Sequence, residues 1–211
     1  MIATRRRRIL GLAAGLLLAG AGWSSRAQSP DERSAARLMD DLMWNRGQIG
    51  GPFALIDHTG KPRTDQGFRG KLLLIYFGYS HCPDVCPTDL QQIALAVDML
   101  GSAGSEVQPL FITLDPERDT AAHLADYVPL FHRRLIGLTG TAEQIRQVAL
   151  AYKVYYAKFP PDSPDYVVDH SSFIYLVDET GKYAGFFPPG TSADRMVEVI
   201  KPRLSASASM R

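Results

Sequence analysis

The sequence predicts an α/β sandwich. Three observations point there. The continuous apolar run KLLLIYF (Lys71–Phe77) is too short for most helices and reads as a buried central strand. Strand and helix patterns alternate after it, and the pattern closes on two strands and a helix.

The elements follow in order. SPDERSAARLMDDLMWNRG carries a helix start, with Ser29 as N-cap, Pro30 at the first helical position and Glu32 in the first turn, and Gly47 stops it. Leu38, Met39, Leu42 and Met43 form its apolar face. The methionines read as packing groups rather than metal ligands, because methionine commonly fills irregular gaps. GPFALIDHTGKPR reads as a strand, a tight turn at Thr59 and Gly60, and a short return. After the central strand, Leu90, Ile93, Ala94, Val97 and Leu100 recur at helical spacing between Pro87 and Gly101.

VQPLFITL (Val107–Leu114) is a second strand, followed by helical TAAHLADYV and a short apolar link, RLIGLTG. TAEQIRQVALAYKV opens with the capping-box pair Thr141 and Gln144. VYYAKFPPDSPDYVVDH reads as an inserted hairpin whose return strand ends at Asp169 and His170. SSFIYLVD and KYAGFFP are strands joined by a turn at Glu179–Gly181, and SADRMVEVI is a last helix stopped before Pro202. The SASAS tail is expected to be disordered.

The chain opens on four arginines, an apolar run from Ile9 to Trp23 and small residues at Ser25 and Ala27, the pattern of an export signal cut after Ala27. The run is shorter than the roughly 20 residues of a spanning helix, and an uncleaved membrane anchor is the alternative. The arginine run also fits a loose twin-arginine signal. The expected organisation is a signal peptide or anchor over 1–27, a helical lead-in over 28–47, one domain over 48–204, and a tail over 205–211. Without 1–27 the chain has 18 basic against 22 acidic residues. A mildly acidic body with no basic stripe gives no support to nucleic-acid binding.

Both cysteines, Cys82 and Cys86, lie in HCPDVCP on the strand-to-helix turn after KLLLIYF. Sulfur beside a helix N-terminus is biased toward thiolate, which is both nucleophile and metal ligand. Three readings stand: a structural disulfide, a redox pair, or two metal ligands. A bridge closing so small a loop restricts the unfolded chain little. Thiol-disulfide enzymes on such a turn usually carry two intervening residues rather than the three found here, and the wider pair can open around a metal. A closed zinc site would need two histidines besides the cysteines. His81 adjoins Cys82, but a side chain next to a ligand often points away. Two thiolates and one imidazole suit three-coordinate Cu(I), and Cu(II) is also plausible at a nitrogen- and sulfur-bearing site. His170, at a strand edge, is a candidate third ligand; taken alone it reads rather as a satisfied strand-edge histidine.

GGPFALIDHTGK, FRGKLLLIYFGYSHCPDVCPTDL, LFITLDPERDT, RLIGLTGTAEQI and DHSSFIYLVD together resemble the Sco (SenC) family of copper proteins that assist assembly of cytochrome c oxidase. The resemblance runs from about Leu42 to Lys201. It implies a thioredoxin-like three-layer sandwich with a central mixed β-sheet, an N-terminal β-hairpin and an inserted β-hairpin before His170. It also implies that Cys82, Cys86 and His170 are copper ligands, with a Cys82–Cys86 disulfide as one state of a cycle. Oxidase subunit II and a periplasmic copper donor chaperone are the implied partners. The implied location is the periplasm or the periplasmic face of the inner membrane. Two other activities fit the same residues: thiol-disulfide exchange on subunit II or its chaperone, and redox or copper sensing. The loop LDPERDT, with Asp115 and Asp119, either borders the copper site or meets partners, or is a turn in which Asp119 or Thr120 caps the next helix. Asp84, between the cysteines, either tunes the sulfurs or fills an exposed turn.

Overall fold

The computed structural model describes residues 30–209 apart from 162. The predicted export segment, the Ser29 cap and the last two residues of the tail lie outside the described residues. Helix α1 (Pro30–Met43) buries Leu42, whereas Met43 is exposed, so its apolar face is narrower than the sequence pattern suggests. Strands β1 (Ala54–Asp57) and β2 (Pro62–Thr64) form the expected N-terminal hairpin. Strand β3 (Leu72–Gly78) is buried at every residue, as the apolar run requires. Then come α2 (Val85–Met99), β4 (Val107–Thr113), α3 (Ala121–Tyr127), β5 (Ile136–Thr139) and α4 (Ala142–Ala151). The inserted hairpin is β6 (Tyr156–Phe159) and β7 (Val167–His170), and β8 (Ile174–Val177), β9 (Tyr183–Phe187) and α5 (Ala193–Ser209) close the chain.

Seven strands form one mixed sheet in the order β2-β1-β5-β4-β3-β8-β9, and β6 and β7 pair separately. β3, β4 and β5 run parallel, while β8 lies antiparallel to β3 and β1 antiparallel to β5. The parallel crossovers place β3 inside the sheet, between β4 and β8, where its C-terminal end delivers the cysteine turn. This is the predicted thioredoxin-like arrangement of a central mixed sheet with helices on it. α2 packs against β3, β4 and α5. Tyr152, just after α4, packs against Phe77 and Tyr175, with ring centroids 5.4 Å away in each case.

Two expectations are corrected. RLIGLTG is not a link: Ile136–Thr139 is a sheet strand, held between β4 and β1. Its four residues, with Gly137 inside and Gly140 just after, hide the strand pattern, but Leu138 is fully buried and Gly137 leaves room for the end of α3, since a Cβ there would lie 2.8 Å from Cγ1 of Val128, the residue that follows that helix. The last helix does not stop before Pro202 but continues to Ser209, through most of the tail expected to be disordered. Pro202 is exposed, so its ring meets solvent rather than core, and Arg203 Nη1 donates to the Val199 carbonyl (2.8 Å) in the same turn.

Candidate metal centre

The site is assembled from three places. Cys82 lies in the turn after β3, Cys86 in the first turn of α2, and His170 at the end of β7. Both cysteines are free; Cys86 is fully buried and Cys82 half-buried. His170 Nε2 sits 3.5 Å from Cys86 Sγ, across 84 residues of chain. On the other side of the ring, Nδ1 lies 3.3 Å from the Ser171 carbonyl oxygen. In the tautomer whose Nδ1–H donates there, the Nε2 lone pair faces the Cys86 sulfur, as a metal ligand requires. The rings of Tyr76 and Tyr79 stand nearly perpendicular to the imidazole, at 6.4 and 6.0 Å between centroids, and pack it in place.

The turn is tight enough to need glycine at its base. A Cβ on Gly78 would lie 2.9 Å from Cys86 Sγ and 2.9 Å from Tyr76 Cε1, closer than side chains pack. The gap at Gly78 is therefore the seat of the buried sulfur. Asp84 is exposed and makes no side-chain cap on α2, which matches turn filler.

The two sulfurs are electrostatically unequal. The Cys86 thiol hydrogen-bonds Cys82 and lowers its pKa, against the opposing effect of burial; His170 and the backbone N–H groups of Asp84 and Cys86 add to the lowering, to about 3. Cys86 moves the opposite way, because its proton is held by the Cys82 sulfur and because it is buried. The pair thus keeps one proton between two sulfurs, with Cys82 the thiolate. A cleft of about 970 Å³ opens onto Cys82 and His170, walled by Tyr79, Val85, Phe159 and Val167.

The LDPERDT loop organises both halves of the site. Thr120 is the helix cap, its side chain accepting from the His123 N–H, so Asp119 is free for another task. Asp119 is fully buried and accepts from the Ser80 N–H (3.0 Å), the Ser80 hydroxyl and the Thr113 hydroxyl (2.6 Å), which anchors the turn leading into Cys82. Asp115, also fully buried, accepts from the Tyr166 hydroxyl (2.7 Å) and pairs with Arg118. Arg118 lies 3.8 Å over the Tyr166 ring and donates to the Tyr166 carbonyl (3.1 Å). Tyr166 immediately precedes β7, so this clamp sets the strand that carries His170. Arg118 and Tyr166 are the positioning residues that sequence reasoning missed. Their only signal there was the charged loop itself, since 48 residues separate them.

The three predicted residues are thus brought to one place. His81, beside Cys82, turns instead toward Asp119, at 3.8 Å. The SCO1/SenC family matches residues 43–205. The chain belongs to that family. It is 40% identical over 209 residues to the mitochondrial protein SCO2 homolog of Bos taurus, covering 98% of this chain and 78% of that protein. Its fold matches the crystal structure of Arabidopsis thaliana ScoI with copper bound (TM-score 0.70, 41% identity, 75% of this chain and 99% of that one). It also matches Bradyrhizobium japonicum ScoI with copper bound (TM-score 0.69, 41% identity, 74% and 99%). Among the described residues of this SCO1/SenC chain, no helix is long and apolar enough to cross a membrane.

Proposed function

We propose that this chain is a copper metallochaperone that binds copper through the Cys82 and Cys86 sulfurs and the His170 imidazole and assists assembly of the binuclear copper centre of cytochrome c oxidase. The observation that carries this reading is the approach of His170 Nε2 to Cys86 Sγ at 3.5 Å, with Nδ1 turned to the Ser171 carbonyl. Two soft sulfurs and one imidazole suit Cu(I), and relatives of the same fold hold copper. Copper is cargo here: the half-buried Cys82 and the cleft beside it give a recipient access to the metal. Oxidase subunit II is the proposed recipient and a periplasmic chaperone the proposed donor. Residues 1–27 would direct the chain to the periplasm or tether it to the periplasmic face of the membrane.

A second reading is favoured by one specific observation, the unequal sulfurs. The Cys82 thiolate would attack a disulfide sulfur of subunit II or its chaperone, forming a mixed disulfide and releasing one partner thiolate. Cys86 would then give up its proton and attack Cys82, releasing the second partner thiol. The chain would end as a Cys82–Cys86 disulfide, oxidised by two electrons, with the partner reduced by two.

Deleting the gene and measuring copper in the isolated oxidase, with and without added copper, tests the main reading. Copper-poor oxidase that recovers with excess copper is the expected result. Oxidase of full copper content in the deleted strain would overturn delivery, and rescue by an added thiol reductant but not by copper would favour the second reading.

A further inference from the structure

Ser80 and Asp119, which anchor the turn into Cys82, form with His81 and His123 a cluster of donors outside the cysteine ligand set. We propose that His81, Asp119 and His123 make a second metal site, selective for a divalent cation of the Zn(II) class rather than for Cu(I). Their ligand atoms, two imidazole nitrogens and one carboxylate oxygen, all lie within 4.8 Å of one another. His81 Nδ1 is 3.8 Å and His123 Nε2 4.0 Å from the same atom, Asp119 Oδ1. Two metal bonds of roughly 2.0–2.2 Å span about that distance, so small ring rotations suffice to close the three groups on one ion.

The carboxylate is prepared for a single bond. Its Oδ2 is held by the Ser80 N–H and the Thr113 hydroxyl, and its side chain is fully buried, while Oδ1 faces the two rings. The Ser80 hydroxyl sits among all three groups. It donates to Asp119 Oδ1 and lies 3.0 Å from His81 Nδ1 and 2.8 Å from His123 Nε2. With its one proton committed to the carboxylate, it accepts from the two ring N–H groups, and a divalent ion that displaces those two protons would free its oxygen to serve as a fourth ligand or yield to water.

The rings are stacked, with centroids 5.4 Å apart and planes 20° from parallel, and their side chains are 45% and 43% exposed. An ion can therefore enter from solvent. Nitrogen and oxygen donors without sulfur favour borderline divalent ions such as Zn(II) over soft Cu(I). An ion here would join the turn before Cys82 to the start of α3, because Asp119 and His123 flank the Thr120 cap.

The test is a Zn(II) titration of the full chain, without a histidine tag, carrying Cys82→Ser and Cys86→Ser to remove the thiolates. One equivalent of Zn(II) should bind, with the ring-proton NMR signals of His81 and His123 shifting together. Adding His123→Ala, an exposed helix position, should weaken that binding at least about tenfold, since even the loss of an outer-shell partner costs 10–100-fold. Absence of micromolar Zn(II) binding, or binding that His123→Ala leaves unchanged, would overturn the site. Should the double variant fail to fold by circular dichroism, the wild-type chain with its cysteines oxidised to a disulfide takes its place, read by the same two outcomes.

Discussion

At Cys82 the hydrogen bond from Cys86 outweighs burial, and His170 and two backbone N–H groups help bring the thiol to about 3 from its ordinary 9.0. A depressed pKa means that the thiolate is already formed across the acid and neutral range. In the copper-free, reduced protein, the rate of Cys82 alkylation by iodoacetamide should stay flat between about pH 5 and about pH 8, whereas a free thiol slows about tenfold per unit over the same span. A decade-per-unit slope would show an ordinary thiol. Gly78 is the second residue on which the site turns. Gly78→Ala presses a methyl into Cys86 Sγ and the Tyr76 ring, both buried. Overpacking of this kind costs roughly 1–3 kcal/mol. Urea unfolding should show that loss, with weaker copper binding alongside it, and unchanged stability would contradict the packing argument.

Two small hairpins each rest on a buried carboxylate. In the β6–β7 hairpin, Arg118 joins Asp115 to Tyr166 and so aims His170 from a loop on the main sheet. Arg118→Ala should destabilise the fold by roughly 1–3 kcal/mol, a range that allows for the partial exposure of the guanidinium. It should also speed amide exchange in Val167–His170 and weaken copper binding, while Cys82 alkylation keeps its pH profile. Unaltered exchange in that strand would remove Arg118 from the role.

In the β1–β2 turn, burial raises the Asp57 carboxyl, but Thr59, Arg63 and the backbone N–H groups of Lys61 and Thr59 together hold it well below its ordinary 3.8. A carboxyl whose folded pKa is depressed adds stability above its unfolded value, and loses that stability as pH falls below it. Asp57→Asn should therefore be less stable at neutral pH, by roughly 1–3 kcal/mol. The gap in urea midpoint should narrow as pH falls below about 4, and a gap independent of pH would contradict the assignment.

Across the whole molecule, the parts legible in the sequence were those encoded by local pattern. The apolar run of β3, the capping box at Thr141, and the cysteines placed between strand and helix needed no tertiary knowledge. His170 stood out only through its position at a strand edge and through the DHS of the family resemblance. What stayed hidden depends on contacts distant in sequence. β5 is a strand because β4 and β1 flank it, and α5 passes Pro202 with the ring on the solvent side. The Arg118–Tyr166 clamp, the turn of His81 away from Cys82, and the space over Gly78 exist only once the sheet is assembled. The division of labour in LDPERDT, with Thr120 capping, Asp119 holding the cysteine turn and Asp115 holding the hairpin, likewise cannot be read from spacing.

The proposed copper site depends on His170 completing a ligand set with the two sulfurs, rather than decorating a redox pair. Cu(I) affinity of the wild-type chain and His170→Ala, measured by chelator competition beside a redox titration of the dithiol, tests this directly. His170→Ala should bind Cu(I) at least about tenfold more weakly, as expected for loss of a ligand when even an outer-shell partner costs 10–100-fold, while the cysteines still form a disulfide. Equal Cu(I) affinity in the two proteins would contradict the three-ligand site.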